Sequence, residues 1–419
     1  MKTAIGSGLA LALAALLGTA QAAPAAKPAL KLERVVMLMR HSVRPPTKAA
    51  VTPPGYAAQP WSKWSTGFGE LTPHGAEGAR LMGVYDRAFF ASRGLISAEG
   101  CPKPGDISAY ASGKSRAIDT AKNFAEGMFP GCGVTVTHPA DENNDRVFHP
   151  LDTADGAIDG ARAKAAAEAR LPKGGLAELT ASHRAEFDTL QRVLGCCAPP
   201  VCATTACRLA DVPVEIDGNP ADGPDLGGVM GIASTASQTV LLEYLEGKPM
   251  AEVGWGRASK ADIQQMLRFH TTKYIYEART PYVAERVAAP IARKILEAMS
   301  GAPGTGKLTV LAGHDTNIAM LGGMLDLHWI PADYPRDDPP PGGALGFEVL
   351  RDAKGARFVR AFYQAQSMDQ LCNLTPLTLR SPPAYNYLPI TGCTTRADQP
   401  CPLAKFQSIV QAKLDHPAP

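Results

Sequence analysis

Val35-Val36-Met37-Leu38-Met39-Arg40-His41-Ser42-Val43-Arg44-Pro45-Pro46 is an apolar run that breaks off into two arginines, a histidine and a pair of prolines. The apolar run Val35 to Met39 is short enough for a buried strand. The same design occurs twice more. Ile107 to Ala111 is followed at once by Ser112-Gly113-Lys114-Ser115-Arg116, and Leu308 to Ala312 by Gly313-His314-Asp315-Thr316-Asn317.

Helical patterns lie between and after these strands. Thr72 as N-cap and Pro73 at the first position open one that runs to about Ser92, and others cover Arg116 to Met128 and Thr316 to Leu325. Further strands are expected at Phe347 to Leu350 and Phe358 to Tyr363. Residues 150 to 230 are rich in Ala, Gly and Asp and read as helical or irregular. Three helices are then expected at about 230 to 246, 259 to 279 and 281 to 299, the last two parted by Thr280-Pro281. The predicted class is α/β: a sheet flanked by helices, built from residues 30–149 and 301–419 and interrupted by a mostly α insertion over 150–300.

In such sheets ligands bind beyond the carboxyl ends of the strands, where these three strands carry their reactive groups. If the strands are neighbours, Arg40, Arg44, Arg116, His41, His314 and Asp315 converge. Guanidinium forks match the oxygens of a phosphate group. An imidazole among them can attack phosphorus while the arginines neutralise its charge, and a carboxylic acid can protonate the departing alkoxide. An isolated Arg-His or His-Asp pair carries little weight. Three such groups, each at a strand end, carry far more.

At these residues the chain resembles the histidine acid phosphatases, a branch of the phosphoglycerate-mutase-like fold with the signature R-H-G-x-R-x-P early and H-D late. Among them it looks most like the bacterial periplasmic phytases and glucose-1-phosphatases. Leu30 to Ala49, Gly313 to Trp329 and Pro340 to Gly343 resemble the phytases, whereas Glu246 to Met250 and Gly131-Cys132 look more like the glucose-1-phosphatases. The resemblance implies His41 as the nucleophile that becomes phosphohistidine and Asp315 as proton donor. It implies Arg40, Arg44, Arg116 and His314 as the phosphate pocket, and Thr47, Lys48, Gln238 and Arg279 as contacts to the rest of the substrate. Gln238 stands where phytases carry glutamate, and Ser42 where the signature has glycine, so a side chain beside the nucleophile is expected to narrow the pocket. Arg279 also has a plain structural reading, because an arginine at a helix C-terminus suits the helix dipole. The expected activity is hydrolysis of a small-molecule phosphomonoester, phytate-like or a sugar phosphate, without cofactor or metal. An alternative is a phosphate-ester binding protein without turnover.

The rest of the sequence bounds this reading. With 42 Lys+Arg against 40 Asp+Glu and 20% charged residues, no basic excess points to nucleic acid. Lys2, the apolar stretch Leu9 to Leu17 and Ala20-Gln21-Ala22 read as a signal peptide over residues 1–22, and hence a periplasmic or secreted protein with no membrane contact after cleavage. The stretch is short for a bilayer span of about 20 residues. Of nine cysteines, Cys101 with Cys132 and Cys393 with Cys401 suit local bridges. Cys196, Cys197, Cys202 and Cys207 can hold two more in an open pairing, leaving Cys372 free; zinc at this cluster is disfavoured by its spacing. His74, His138, His149 and His270 read as structural or exposed. Gly301 to Lys307 has the spacing of a phosphate-binding loop, but Leu308 stands where Ser or Thr is needed, and the segment leads into a strand rather than a helix.

Overall fold

The computed structural model describes residues 1, 30–153, 158–197, 208–219 and 223–418. The expected signal peptide, Cys202 and Cys207 lie outside them.

Strand β1 (Lys31–Arg40) is central. Its alternate residues face opposite ways: Val36 and Leu38 join one core, Val35, Met37 and Met39 another. That alternation within a continuous apolar run explains why the strand is buried on both faces. It pairs in parallel with β6 (Leu308–Gly313), which pairs in parallel with β2 (Ile107–Ala111), and β2 with the short β3 (Val136–Thr137). On its other side β1 runs antiparallel to β7 (Ala344–Arg351), followed by β8 (Arg357–Ala365), which carries β9 (Ala384–Leu388) and β10 (Cys401–Pro402). The order is β10-β8-β7-β1-β6-β2-β3, so all three reactive strand ends lie side by side on adjacent parallel strands.

Helices α1 (Pro73–Ser92) and α2 (Ser115–Met128) cover one face. Thr72 caps α1 as expected, its hydroxyl accepting from the Gly75 N–H at 2.9 Å. A Cβ at Gly83 would collide with the Phe124 carbonyl and one at Gly127 with the Arg80 carbonyl, so the two glycines let these helices touch backbone to backbone.

The middle of the chain forms α3 (Gly160–Glu168), α4 (Gly175–Ser182), α5 (Arg184–Leu194), a hairpin of β4 (Val214–Asn219) with β5 (Gly223–Gly228), α6 (Val229–Leu245), α7 (Lys260–Met266) and α8 (Arg268–Tyr276). The hairpin is a departure from the helical or irregular reading. Gly223, Pro224, Gly227 and Gly228 hide its alternation, since residues of low strand propensity carry the pairing. Leu190, Val193, Leu226, Met230, Val240 and Phe269 form a core of their own. By contrast, α9 (Pro281–Val287) and α10 (Ala289–Ser300), expected within the insertion, send Ala284, Ile291, Ile295 and Met299 into the core beneath the sheet. There they meet α11 (Asp315–Leu325) and the C-terminal α13 (Leu403–Asp415), which follows the short α12 (Met368–Cys372).

Disulfides join Cys101 to Cys132 and Cys393 to Cys401, Cys196 is bonded to Cys197, and Cys372 is free. The Gly301 to Lys307 segment is a connection in which Gly301 closes α10 in the left-handed region (φ 80°) and Lys307 pairs with Asp106 at 2.9 Å. Among the described residues no helix is long and apolar enough to cross a membrane.

Candidate active site

The three strand ends are tied together by main chain. The His41 N–H donates to the Gly313 carbonyl (2.9 Å), the Ser112 N–H to Ala312 (2.8 Å) and the Arg40 N–H to Gly343 (2.9 Å). Backbone pairing therefore holds His41, His314 and Arg116 near one another before any side chain acts.

His41 is 1% exposed. Its Nδ1 lies 2.8 Å from the Ser42 carbonyl, which accepts only if Nδ1 is protonated, and Nε2 faces the Arg44 Nε–H at 3.4 Å as an acceptor. The neutral tautomer thus presents a lone pair on Nε2. Burial, together with Arg44, Arg116, His314 and Arg40, holds this imidazole well below the ordinary histidine range. His314 stands edge-on to His41 with ring centroids 5.5 Å apart. It is locked by Ser112 Oγ at Nε2 (3.1 Å), by Arg116 at Nδ1 (3.4 Å), and by its own N–H donating to Asn317 Oδ1 (2.9 Å). Burial and Arg116 depress its pKa as well.

Arg40 is almost wholly buried and donates to the Pro339 carbonyl (2.6 Å), Gln238 Oε1 (3.3 Å) and Asp315 Oδ2 (2.8 Å). Asp315 opens α11, where the helix dipole favours an anion. Burial pushes its carboxyl up, but Arg40 above all, with Arg44, outweighs that and holds it far below the usual carboxylate range. Desolvation and neighbouring arginines bring Arg44 down to about 10, where it still carries its charge at any pH of interest.

Arg40, Arg44 and Asp315 open into a cleft of about 270 Å³. Thr47, Lys48 and Gln238 line it. Arg279 does not. It is 5% exposed, donates to the Leu327 carbonyl at 2.8 Å and lies over the Trp329 ring, so its guanidinium is spent inside the fold. Nor does Ser42 narrow the cleft. It is fully buried, with its Oγ about where a Cβ on Gly78 of α1 would meet it (3.5 Å), because a residue after a strand-end histidine points to the opposite face.

The sequence reading missed the wall contributed by α8. His270 is in the cleft, bonded to Ser234 Oγ through Nδ1 (3.1 Å) with Nε2 3.9 Å from Asp315, and burial brings it down to about 3, which keeps it neutral. Tyr274, Lys273 and Glu277 join it. Their spacing, i, i+3, i+4 and i+7 from His270, is one helical face and was the available signal. His149 packs on His314 with centroids 4.7 Å apart. Among the described residues no group of three or more His, Cys, Asp or Glu is placed to hold a metal ion.

A family profile described as "Histidine phosphatase superfamily (branch 2)" matches residues 31–174. Phytase AppA of Escherichia coli is 34% identical over 403 residues, covering 92% of each chain. Glucose-1-phosphatase of Salmonella typhimurium is 32% identical over 416 residues, covering 96% of this chain and 97% of that protein. The solved structure of Hafnia alvei phytase in complex with tartrate superposes with a TM-score of 0.86 at 30% identity, over 95% of this chain and all of that one. Likeness over the whole length, together with a buried imidazole set among arginines beside an acid, has one reading: the chain belongs to the histidine phosphatase superfamily, branch 2, and is a histidine acid phosphatase that hydrolyses phosphate esters.

Proposed function

We propose that the ester's phosphate group binds between Arg40, Arg44, Arg116 and His314, that His41 attacks it and that Asp315 handles the proton of the leaving oxygen. The observation that carries this is the tautomer of His41, with Nδ1–H given to the Ser42 carbonyl and Nε2 left as a lone pair beside Arg44. The Nε2–P bond forms as the P–O ester bond breaks, and the alkoxide takes a proton from Asp315. Water then attacks phosphorus as the Nε2–P bond breaks and yields a proton to the Asp315 carboxylate, and inorganic phosphate carries that proton away, restoring neutral His41 and ionised Asp315.

Because the arginines keep Asp315 ionised in the resting enzyme, the proton it donates must arrive with the substrate. A monoester keeps one phosphate proton below its second pKa of about 6. Transfer of that proton to Asp315, whose ion pair with Arg40 yields once the phosphate occupies the guanidinium, makes the reaction one of acidic solution. Activity is therefore expected to fall as pH rises past about 6 with the second ionisation of the substrate.

The relatives named as phytase and glucose-1-phosphatase bracket the substrate, a small-molecule phosphomonoester. A phosphate-binding protein without turnover is disfavoured because binding alone would need neither an imidazole with an Nε2 lone pair nor a carboxyl beside the arginines. We assign the protein to the periplasm or the exterior, supported by the leader pattern before residue 23 and by the disulfides Cys101–Cys132 and Cys393–Cys401.

Rapid quench with labelled substrate tests the assignment. An acid-labile phospho-enzyme is expected in the wild type, and His41→Ala should lose both the trapped label and turnover. Full activity in His41→Ala would refute it.

A further inference from the structure

The two halves of the cleft differ in charge. On the phosphate side Arg40 and Arg44 line it with Asp315, and Arg116 stands behind His314. The opposite wall, from α6 and α8, presents the uncharged Ser234, Thr235, Gln238 and Thr239. One cation on this wall, Lys273, is already engaged: its Nζ is 2.6 Å from Asp225 Oδ1 and 2.8 Å from Glu277 Oε1. Glu277 is fixed in turn by the Leu226 N–H, which donates to Oε1 at 2.6 Å. The hairpin strand β5 thus clamps the α8 lysine from outside.

We propose that Asp225, with Glu277, is a specificity-determining residue that masks Lys273, so that the leaving-group wall accepts a hydroxyl-bearing sugar or polyol and disfavours one carrying further phosphates. This rests on the phosphatase reading above. Each further phosphate brings a charge of about −1.5 to −2 near neutrality and needs cations that are free to turn toward it. Lys273 has two carboxylates in place of an incoming anion. Among the described residues lining this wall and its rim, Lys48 is the cation with no carboxylate partner. Hydroxyls make no such demand, because the serine, threonine and glutamine groups donate and accept equally.

The two carboxylates divide the work by pH. The groups facing Glu277 are Lys273 from its own helix, and Asp225 and the Leu226 N–H from β5. Burial outweighs the first of these and pushes Glu277 up to about 7, whereas the hydrogen bond and charge of Lys273 overcome burial at Asp225 and keep it below the usual range. In acid solution Asp225 is therefore the charge that masks the lysine.

The test compares kcat/KM for inositol hexakisphosphate and for glucose 1-phosphate at pH 5, with hydrolysis of p-nitrophenyl phosphate and trapping of the phospho-enzyme measured in parallel. Asp225→Asn should raise the hexakisphosphate-to-glucose-1-phosphate ratio roughly fivefold, the effect of one partly exposed charge pair. Adding Lys273→Met to Asp225→Asn should abolish the gain. The double variant Asp225→Asn, Glu277→Gln extends the gain to pH 7.5. An unchanged or lower ratio in Asp225→Asn, or a gain that survives Lys273→Met, overturns the inference. Absence of a phospho-enzyme in the wild type would instead refute the parent reading.

Discussion

His41 and Asp315 are both held away from their ordinary protonation ranges, in a sense that suits their tasks. Burial and the surrounding arginines hold the imidazole well below the ordinary histidine range, as the nucleophile proposed for it requires. The same arginines hold the carboxyl below the usual carboxylate range, so in the mechanism proposed above its proton comes with the substrate. Asp315→Asn should therefore slow alkyl phosphates by about 10² to 10⁴, the usual worth of general acid catalysis. Hydrolysis of p-nitrophenyl phosphate should suffer far less, because that leaving group is stable as an anion, and inhibition by inorganic phosphate should stay similar. Initial rates on the two ester types decide it; equal losses would make Asp315 a positioning residue. Arg279 belongs to a different class. Its hydrogen bond to the Leu327 carbonyl and its contact with Trp329 tie the start of α9 to the loop after α11. Arg279→Ala should cost about 2 to 4 kcal/mol of stability, as loss of a buried polar network does. KM should not move, which chemical denaturation and steady-state kinetics on one preparation will show.

At the level of elements, the site depends on how closely α1 and α2 approach the strand ends. α2 carries Arg116 and, through Thr120, holds the Ser42 N–H at 3.0 Å, while α1 packs on α2 through Gly83 and Gly127. Gly83→Ala puts a methyl against the Phe124 carbonyl and must push the helices apart. The expected cost is about 1 to 3 kcal/mol of overpacking, read as a lower Tm. A raised KM for phosphate monoesters should accompany it as Arg116 shifts. The helical patterns for α1, α2 and α11 were legible because cap, proline and apolar period act within a few residues. The β4–β5 hairpin was not, since its pairing is made by glycines whose own preference points elsewhere. The single helices expected over 259–279 and 281–299 each divide in two, at Leu267 and Ala288. Pro290, at the start of α10, accounts for the second break, because proline suits a first turn and not an interior.

Across the whole molecule, buried ionisable groups set a pH window for stability. Burial pushes Asp86 and Asp338 up to about 7. A carboxyl with a raised folded pKa keeps its proton longer in the native state, so its contribution is present in acid and is lost as pH rises from about 4 through 7. Histidines 41, 270 and 314 act in the opposite sense: depressed by burial, they contribute fully above about 6.5 and lose that contribution as pH falls. The two sets oppose each other between about pH 4 and 6.5, and above that range the carboxyls alone act, so stability should decline toward pH 8. Asp86 accepts a hydrogen bond from Gln364 at 2.8 Å that an asparagine oxygen can also accept. Asp86→Asn should gain on the wild type as pH rises from 5 to 8, by about 2 to 3 kcal/mol. Denaturant titrations at both values check this, and a constant difference would refute it.

The sequence by itself determined the α/β class, the strands that end in reactive groups and the identity of the phosphate-site candidates, since each signal is local to its strand and the loop after it. Only the tertiary structure decided that β6, though late in the chain, runs between β1 and β2 and so brings His314 and Asp315 to His41 and Arg116. It also decided that Ser42 turns away from the cleft, that Arg279 is buried elsewhere, and that the α8 face of His270, Lys273 and Glu277 forms the opposite wall. The reason is physical: propensity and patterning act over a few residues, whereas pairings across hundreds of residues are chosen by burial and close packing, which leave no mark at any one position.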